Sequence, residues 1–230
     1  MRQLYGCIKD RKGLMMTDVS RPGDPTPGFE MTLEQAHQIV AWAISHNTQF
    51  PPTILKQFSL IHCLREYGYQ ELVETGTFVG DTSAFVSERG YRVYTIELSR
   101  ALYCQAIERF AGNDRVTCLH GDSARVLPKV IERLSGPALF WLDGHHSGGS
   151  TARGKMETPI EGELRCLVRA RIERPDFIDR CSVFIDDIRD FGSGEYPTVA
   201  AVIDFIRENL PRHRYAIVND ALRIVPGSIV

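Results

Sequence analysis

Apolar residues in this chain follow two rhythms. From Glu71 onward, short apolar runs alternate with longer segments in which apolar side chains return every three or four positions. The first rhythm marks buried strands and the second amphipathic helices. Strands are predicted at Leu72–Glu74, Tyr91–Ile96, Arg115–Leu119, Ala138–Leu142 and Cys181–Ile185, with two more near Tyr215–Val218 and Leu222–Val225. Helices are predicted between them. One starts at Asp81. A second opens at Ser99, carries Leu102, Ala106 and Phe110 on one face and ends at Gly112. In a third, capped by Ser123, the side chains of Leu127, Val130, Ile131 and Leu134 share a face. Thr158, Pro159 and Glu161 combine a capping box with a proline at the first helical position, a strong start signal. A last helix covers about Thr198 to Asn209 and stops before Pro211.

Repeated strand–helix units imply an α/β fold, a mostly parallel sheet with helices on both faces. Only two or three residues separate the last two strands, so these should pair antiparallel. The first 68 residues read differently. Pro22, Pro25 and Pro27, with Gly23 and Gly28, make residues 17–28 a loop or linker. A helix then begins at a capping box of Thr32 and Gln35 and carries Leu33, Ala36, Ile39, Val40 and Ala43 on one face. A second helix runs from Thr53 to Tyr67, with Ile54, Phe58, Ile61 and Leu64 on one side. The predicted division is an N-terminal arm with two helices, residues 1–68, and an α/β domain, residues 69–230.

Composition narrows the class of partner. The 230 residues are 43% hydrophobic and 24% charged, which suits one large α/β domain with an appendage. A net charge of −2 sets up no strong field towards nucleic acid or anionic lipid. A small molecule or a limited protein surface is the expected partner, and a homo-oligomer is compatible with the composition. No stretch approaches the ~20 apolar residues of a membrane span, and MRQLYGCIKDRKG lacks the apolar core of a signal peptide. The expected location is the cytoplasm. Cys7, Cys63, Cys104, Cys118, Cys166 and Cys181 form no C-x-x-C pair, so buried reduced thiols are expected.

Open α/β sheets bind ligands beyond the carboxyl ends of their strands. After the first strand comes Glu74-Thr75-Gly76-Thr77-Phe78-Val79-Gly80-Asp81-Thr82. Gly76 and Gly80 allow a tight turn and a close approach to a ligand. Phe78 stands where a dinucleotide fingerprint has its second glycine, which makes room for a pyrophosphate, so NAD is disfavoured. Glu97 ends the second strand, where an acid can accept from both ribose hydroxyls. Asp122 and Ser123 follow the third, where a carboxylate can accept from an adenine amino group. Each is weak alone. Their order, each at a strand end, is the signal.

The segments ELVETGTFVGDTS, VYTIELS, CLHGDS and FWLDGHH resemble the class I S-adenosylmethionine (SAM)-dependent methyltransferases, over roughly residues 69–225. The resemblance implies a Rossmann-like seven-stranded sheet whose last strand is antiparallel. It also implies that Glu74 and the Gly76–Gly80 loop, Thr77 included, lie near the amino-acid part of SAM, with Thr82 and Asp143 among the cofactor-binding residues. Glu97 would meet the ribose, and Asp122 with Ser123 the adenine.

The fourth strand ends in Asp143-Gly144-His145-His146 and the fifth in Asp186-Asp187. Parallel strands bring both ends to one rim. Three carboxylates there suit a hard divalent cation, Mg²⁺ or Mn²⁺, which could bind and orient a substrate hydroxyl. Both aspartates of the pair could instead cap the following loop. This half resembles the metal-dependent O-methyltransferases, above all the macrocin type. His145 or His146 would be the catalytic base, unless the histidine is a hydrogen-bonding strut. His145 is favoured, because macrocin-type enzymes carry an acid two positions beyond the corresponding aspartate. Residues 147–155 read as a lid or as a solvated loop, with Arg153 and Lys155 placed to meet an anionic group. The competing readings are an NAD-binding or hydroxylase-like enzyme, and a binding protein that keeps only the sheet.

Overall fold

A computed structural model of the chain describes residues 9–10, 13–14, 31–45, 50–144, 159–194 and 196–227. The chain divides into two compact units, residues 1–56 and 57–230. In the first, Lys9–Asp10 and Gly13–Leu14 pair antiparallel. Helix α1 spans Leu33–Ile44, and both halves of its capping box form: Thr32 Oγ1 accepts from the Gln35 N–H, and Gln35 Oε1 from the Thr32 N–H. None of its residues is buried, and Leu33, Val40 and Ile44 are exposed. The apolar stripe therefore reports helical spacing without reporting a core. Helix α2, Thr53–Glu66, crosses the division between the units. Beyond that division its Phe58, Leu60, Ile61, Cys63 and Leu64 are buried.

The second unit is built on seven strands: β1 Glu71–Thr75, β2 Arg92–Glu97, β3 Val116–His120, β4 Leu139–Leu142, β5 Ser182–Ile185, β6 His213–Val218 and β7 Ala221–Pro226. Their order in the sheet is β3-β2-β1-β4-β5-β7-β6. Strands β1 to β5 are parallel, while β7 runs antiparallel to both β5 and β6. Asn219 and Asp220 join β6 to β7 with φ of 51° and 61°. Two left-handed residues make the tight turn whose twist suits a hairpin, and Asn and Asp tolerate that conformation best after glycine. The connecting helices are α3 Asp81–Ser87, α4 Arg100–Arg109, α5 Ser123–Arg133, α6 Ile160–Glu173, α7 Pro175–Ile178 and α8 Val199–Asn209, with a 3₁₀ turn over Ile188–Asp190.

All five residues of β1, and all four of β4 and of β5, are buried, as expected of central parallel strands. Leu127, Val130, Ile131 and Leu134 share one buried apolar cluster with Ile160, Leu164 and Leu167 of α6 and with Ile96, Phe140 and Val183 of the sheet. Helices α5 and α6 approach so closely that a β-carbon on Gly162 would come within 2.7 Å of that of Ala124. The strand order reverses between β1 and β4, which opens the crevice where such sheets bind ligands.

Three local expectations need correction. The N-cap of α5 is Asp122, whose Oδ1 accepts from the Ala124 N–H at 3.0 Å, and Ser123 is the first helical residue. A carboxylate is the stronger acceptor beside the exposed amides of a helix start. In α6, Pro159 occupies the N-cap position without a side-chain bond, Glu161 pairs with Arg165, and Thr158 lies outside the described residues. The free cysteines are not uniformly buried. Cys63, Cys166 and Cys181 are, Cys118 is half-buried and Cys104 is exposed, while Cys7 lies outside the described residues. Burial pushes the Cys63 and Cys181 thiols up to about 12, so both are inert. Among the described residues, no helix is long and apolar enough to cross a membrane.

Candidate functional site

The loop from Gly76 to Gly80 is held from both sides. Towards β2, the N–H groups of Gly76 and Thr77 donate to the Ile96 carbonyl at 2.9 and 3.3 Å. Towards β4, Thr75 accepts the Asp143 N–H at both its carbonyl (3.1 Å) and its Oγ1 (3.2 Å). Gly76 has φ 84°, and a β-carbon there would fall on the carbonyl oxygen of Asp143. Gly80 has φ 85° and faces the Phe110 ring at a distance that excludes a side chain. Both glycines are therefore required by sterics as well as by φ. Phe78 also adopts a left-handed conformation, with φ 51°, and its ring is about half exposed. A bulky residue held there is strained.

Beneath the loop lies a buried polar chain. Ser83 of α3 and Thr95 of β2 both donate to Glu74 Oε2, the latter at 2.8 Å. Since Thr95 spends its only proton there, the Thr77 hydroxyl donates to Thr95 across 2.6 Å. Burial pushes the Glu74 carboxyl up to about 8, against the pull of the two hydroxyls and with help from the neighbouring Asp143 and Glu97. The hydroxyl of Thr77 thus faces inward, and its N–H and side chain shape the loop. Thr82 is half-buried in the first turn of α3.

Glu97 is 6% exposed, with one oxygen accepting the Phe78 N–H and the other the Ser99 N–H, each at 2.8 Å. It ties the loop to the start of α4. A carboxylate offers about four acceptor positions, so two remain for vicinal hydroxyls. Register places His120 directly beside Glu97, and the His120 ring lies 5.2 Å from that of Tyr103. Asp122 follows at the end of β3, half-buried and engaged as the α5 cap, with Ser123 buried behind it.

At the other half of the rim, Leu142 of β4 pairs with Ile185 of β5, and the Asp186 N–H donates to the Leu142 carbonyl at 3.1 Å. This brings Asp143, Asp186 and Asp187 together, with one carboxylate oxygen from each within 4.8 Å of the others. Asp186 is buried, and its two partners are half-buried. Asp187 has φ 50° and opens the 3₁₀ turn. Arg189 donates to Asp187 Oδ1 at 2.8 Å and also bonds the Asp220 carboxylate. The basic neighbour divides its charge between two acids. An all-carboxylate oxygen set of this spacing matches what a hard divalent cation takes.

Sequence reasoning reaches Asp143, Asp186 and Asp187 but misses Asp220, which comes from the hairpin 31 residues away from its partner Arg189. It also misses Glu163. That residue is 1% exposed, and a β-carbon placed on Gly144 would lie 3.5 Å from its Oε1 and 3.4 Å from Thr75 Oγ1. Its signal was present: an acid inside the apolar stripe Ile160, Leu164, Leu167. The Tyr103–His120 pair has no local signal. His145, His146 and residues 147–155 lie outside the described residues.

No protein-family model matches the chain. Over 83 residues the chain is 37% identical to a protein-L-isoaspartate O-methyltransferase of Chlorobium luteolum, a stretch that covers 35% of this chain and 36% of that protein. The chain is similar in structure to the SAH-bound methyltransferase PaMTH1 of Podospora anserina (TM-score 0.52, 13% identity, covering 90% of this chain and 100% of that one). It is also similar to the O-methyltransferase TomG of Streptomyces achromogenes, solved in complex with SAM (TM-score 0.50, 16% identity, covering 84% and 89%). The fold is that of the class I SAM-dependent methyltransferases, a Rossmann-like sheet with an antiparallel seventh strand.

Proposed function

We propose that the chain transfers a methyl group from SAM to a hydroxyl oxygen of a small molecule, with Mg²⁺ or Mn²⁺ held by Asp143, Asp186 and Asp187. The contact that most supports this reading is that of Gly76 with the Asp143 backbone. It makes the glycine loop and the carboxylate cluster two walls of one crevice, so a methyl donor on the first sits beside an acceptor on the second.

In this reading Glu97 turns its remaining lone pairs to the ribose, Asp122 and Ser123 border the adenine, and Glu74 holds the loop from beneath. Phe78, half exposed at the crevice, leaves no space for a pyrophosphate, which favours SAM over NAD. The three aspartates hold the cation and thereby fix where the acceptor oxygen sits. A bound cation would supply Lewis acidity, lowering the pKa of that hydroxyl. His145 or His146, which directly follow Gly144 in the chain, is the proposed base. The name of the Chlorobium relative raises a carboxylate acceptor as a second reading. The three rim carboxylates favour a neutral hydroxyl, because a second anion would meet repulsion.

The test needs no substrate. SAM titrated calorimetrically into chelator-treated protein should bind, and Mn²⁺ followed by paramagnetic resonance should occupy one site. Asp186→Asn should lose the Mn²⁺ signal and keep SAM binding. A folded protein that binds NAD but not SAM would sink the methyltransfer reading. Equal Mn²⁺ binding by Asp186→Asn would sink the metal assignment alone.

A further inference from the structure

Away from the rim, a cavity of about 360 Å³ opens between α2 and the β5–β7–β6 edge of the sheet. It is displaced towards the opposite end of the strands. β7 descends from the hairpin at Asp220 through Arg223 to Val225, and Tyr67, which lines the cavity, precedes the start of β1. The volume is that of a site for a small organic molecule. Its walls include the rings of Phe184, Tyr67 and Tyr215, and two arginines reach it, Arg214 and Arg223.

Arg223 lacks the acid that some guanidiniums of this unit meet: Arg171 bonds both oxygens of Asp179, and Arg189 meets Asp187 and Asp220. Arg223 is half-buried, and its Nη2 donates to the hydroxyl of Ser59 at 2.7 Å. Its Nε is shut off from solvent with no hydrogen-bond partner among the described residues. The guanidinium lies 5.3 Å from the centroid of the Phe184 ring. Burial lowers its pKa, and the nearby Cys63 is itself held neutral by burial, so it supplies no countercharge. Arg214, on the same face of the neighbouring strand β6, has the Tyr67 hydroxyl at 3.4 Å. The carboxylate among the lining residues, Glu66, stands 3.5 Å from His62 at the exposed side. A guanidinium sheltered beside neutral groups is costly unless an anion joins it.

We propose that this cavity binds a small organic anion, a carboxylate or phosphate ester on an aromatic body. Its oxyanion meets Arg223 and Arg214 and its ring lies against Phe184 and Tyr215. Guanidinium forks suit both oxyanions, and the aromatic walls select for a planar body.

The experiment titrates the full chain, saturated with SAM, with phenyl phosphate, benzoate, inorganic phosphate and benzyl alcohol. Calorimetry supplies the affinity. Phenyl phosphate or benzoate should bind saturably at one site with SAM present, more tightly than inorganic phosphate, and benzyl alcohol should not bind. Stronger binding of phenyl phosphate than benzoate would identify a phosphate ligand, and the reverse a carboxylate. Arg223→Gln should weaken binding at least roughly tenfold, the expected effect of losing a charge-assisted contact. Should Arg223→Gln fail to fold, Arg214→Gln, altered at an exposed side chain, should still weaken it. The proposal is overturned if neither aromatic anion binds the wild-type chain, if saturating SAM displaces them, or if affinity is unchanged in the folded variants.

Discussion

Burial, rather than any single charge, holds the Glu74 carboxyl at about 8, from an ordinary value of 4.5. The consequence for stability has a definite sign. Between those two values the unfolded chain has lost the proton that the folded chain keeps, so stability falls as pH rises, by up to about 1.4 kcal/mol per pH unit. Glu74→Gln keeps an oxygen that can accept from Ser83 and Thr95 and removes the titration. Urea unfolding of the chelator-treated protein between pH 5 and 8 should show the wild type losing stability relative to Glu74→Gln as pH rises. Parallel curves for the two proteins would mean that Glu74 is ionised in the fold. At the other half of the rim, Arg189 donates to the Asp187 carboxylate that a cation would share. Arg189→Gln should lower stability by about 1–3 kcal/mol, since Asp220 and the hairpin lose their charged partner. If Asp187 is a ligand, the same change should tighten Mn²⁺ binding by removing a competing cation. Weaker Mn²⁺ binding would make Arg189 a support of the site instead. Asp220 escapes a reading of the sequence because its partner is set by tertiary contact; the aspartates of the rim do not, because strand ends announce themselves.

Among elements, the loop between β1 and α3 shows what local chemistry can and cannot reveal. Its glycines are legible as a turn, but the reason for Gly76 is not. The carbonyl that bars a side chain belongs to Asp143, a residue brought alongside by the β1–β4 pairing. Gly76→Ala should therefore cost more than a left-handed residue alone, about 2–4 kcal/mol. It should also weaken SAM binding, because relief of the collision must move the loop or the Asp143 backbone. Thermal unfolding and calorimetry on that variant check both; an alanine accepted with unchanged melting temperature would contradict the close approach. The helices that announce themselves are those with capping signals of their own, as at Thr32, Ser99 and Thr198. Helix α5 tolerates Pro128 in its interior because Leu127, Val130 and Ile131 bury one face, an effect of tertiary packing that propensity alone would not foretell. The short α7 and the 3₁₀ turn after β5 are too brief to leave a periodic signal.

At the scale of the whole molecule, the candidate cofactor site draws on β1, β2, β3 and β4, which lie at the centre and one edge of the same sheet. Those strands cannot separate without releasing a ligand bound on their rim. Binding should therefore act on global unfolding of the sheet. A ligand at a hundred times its dissociation constant adds about 2.7 kcal/mol to the folded state. For a unit of this size each kcal/mol raises the melting temperature by roughly 2–4 °C. Saturating SAM should accordingly raise it by about 5–10 °C, while NAD at the same concentration should leave it in place. Glu97→Gln separates two roles of one side chain. The amide has one oxygen where the carboxylate has two, so the clamp on the Phe78 and Ser99 N–H groups is halved, and the melting temperature without ligand should fall. The increment produced by SAM should shrink as well, because the ribose loses acceptor positions on the same group. Scanning calorimetry of both proteins, with and without SAM, reads the two effects independently. A lowered baseline with an undiminished increment would leave Glu97 as a structural clamp and move ribose recognition elsewhere, to the neighbouring His120 and Tyr103. A diminished increment places the ribose on Glu97 and makes this residue the hinge between the folding of the loop and the binding of the cofactor.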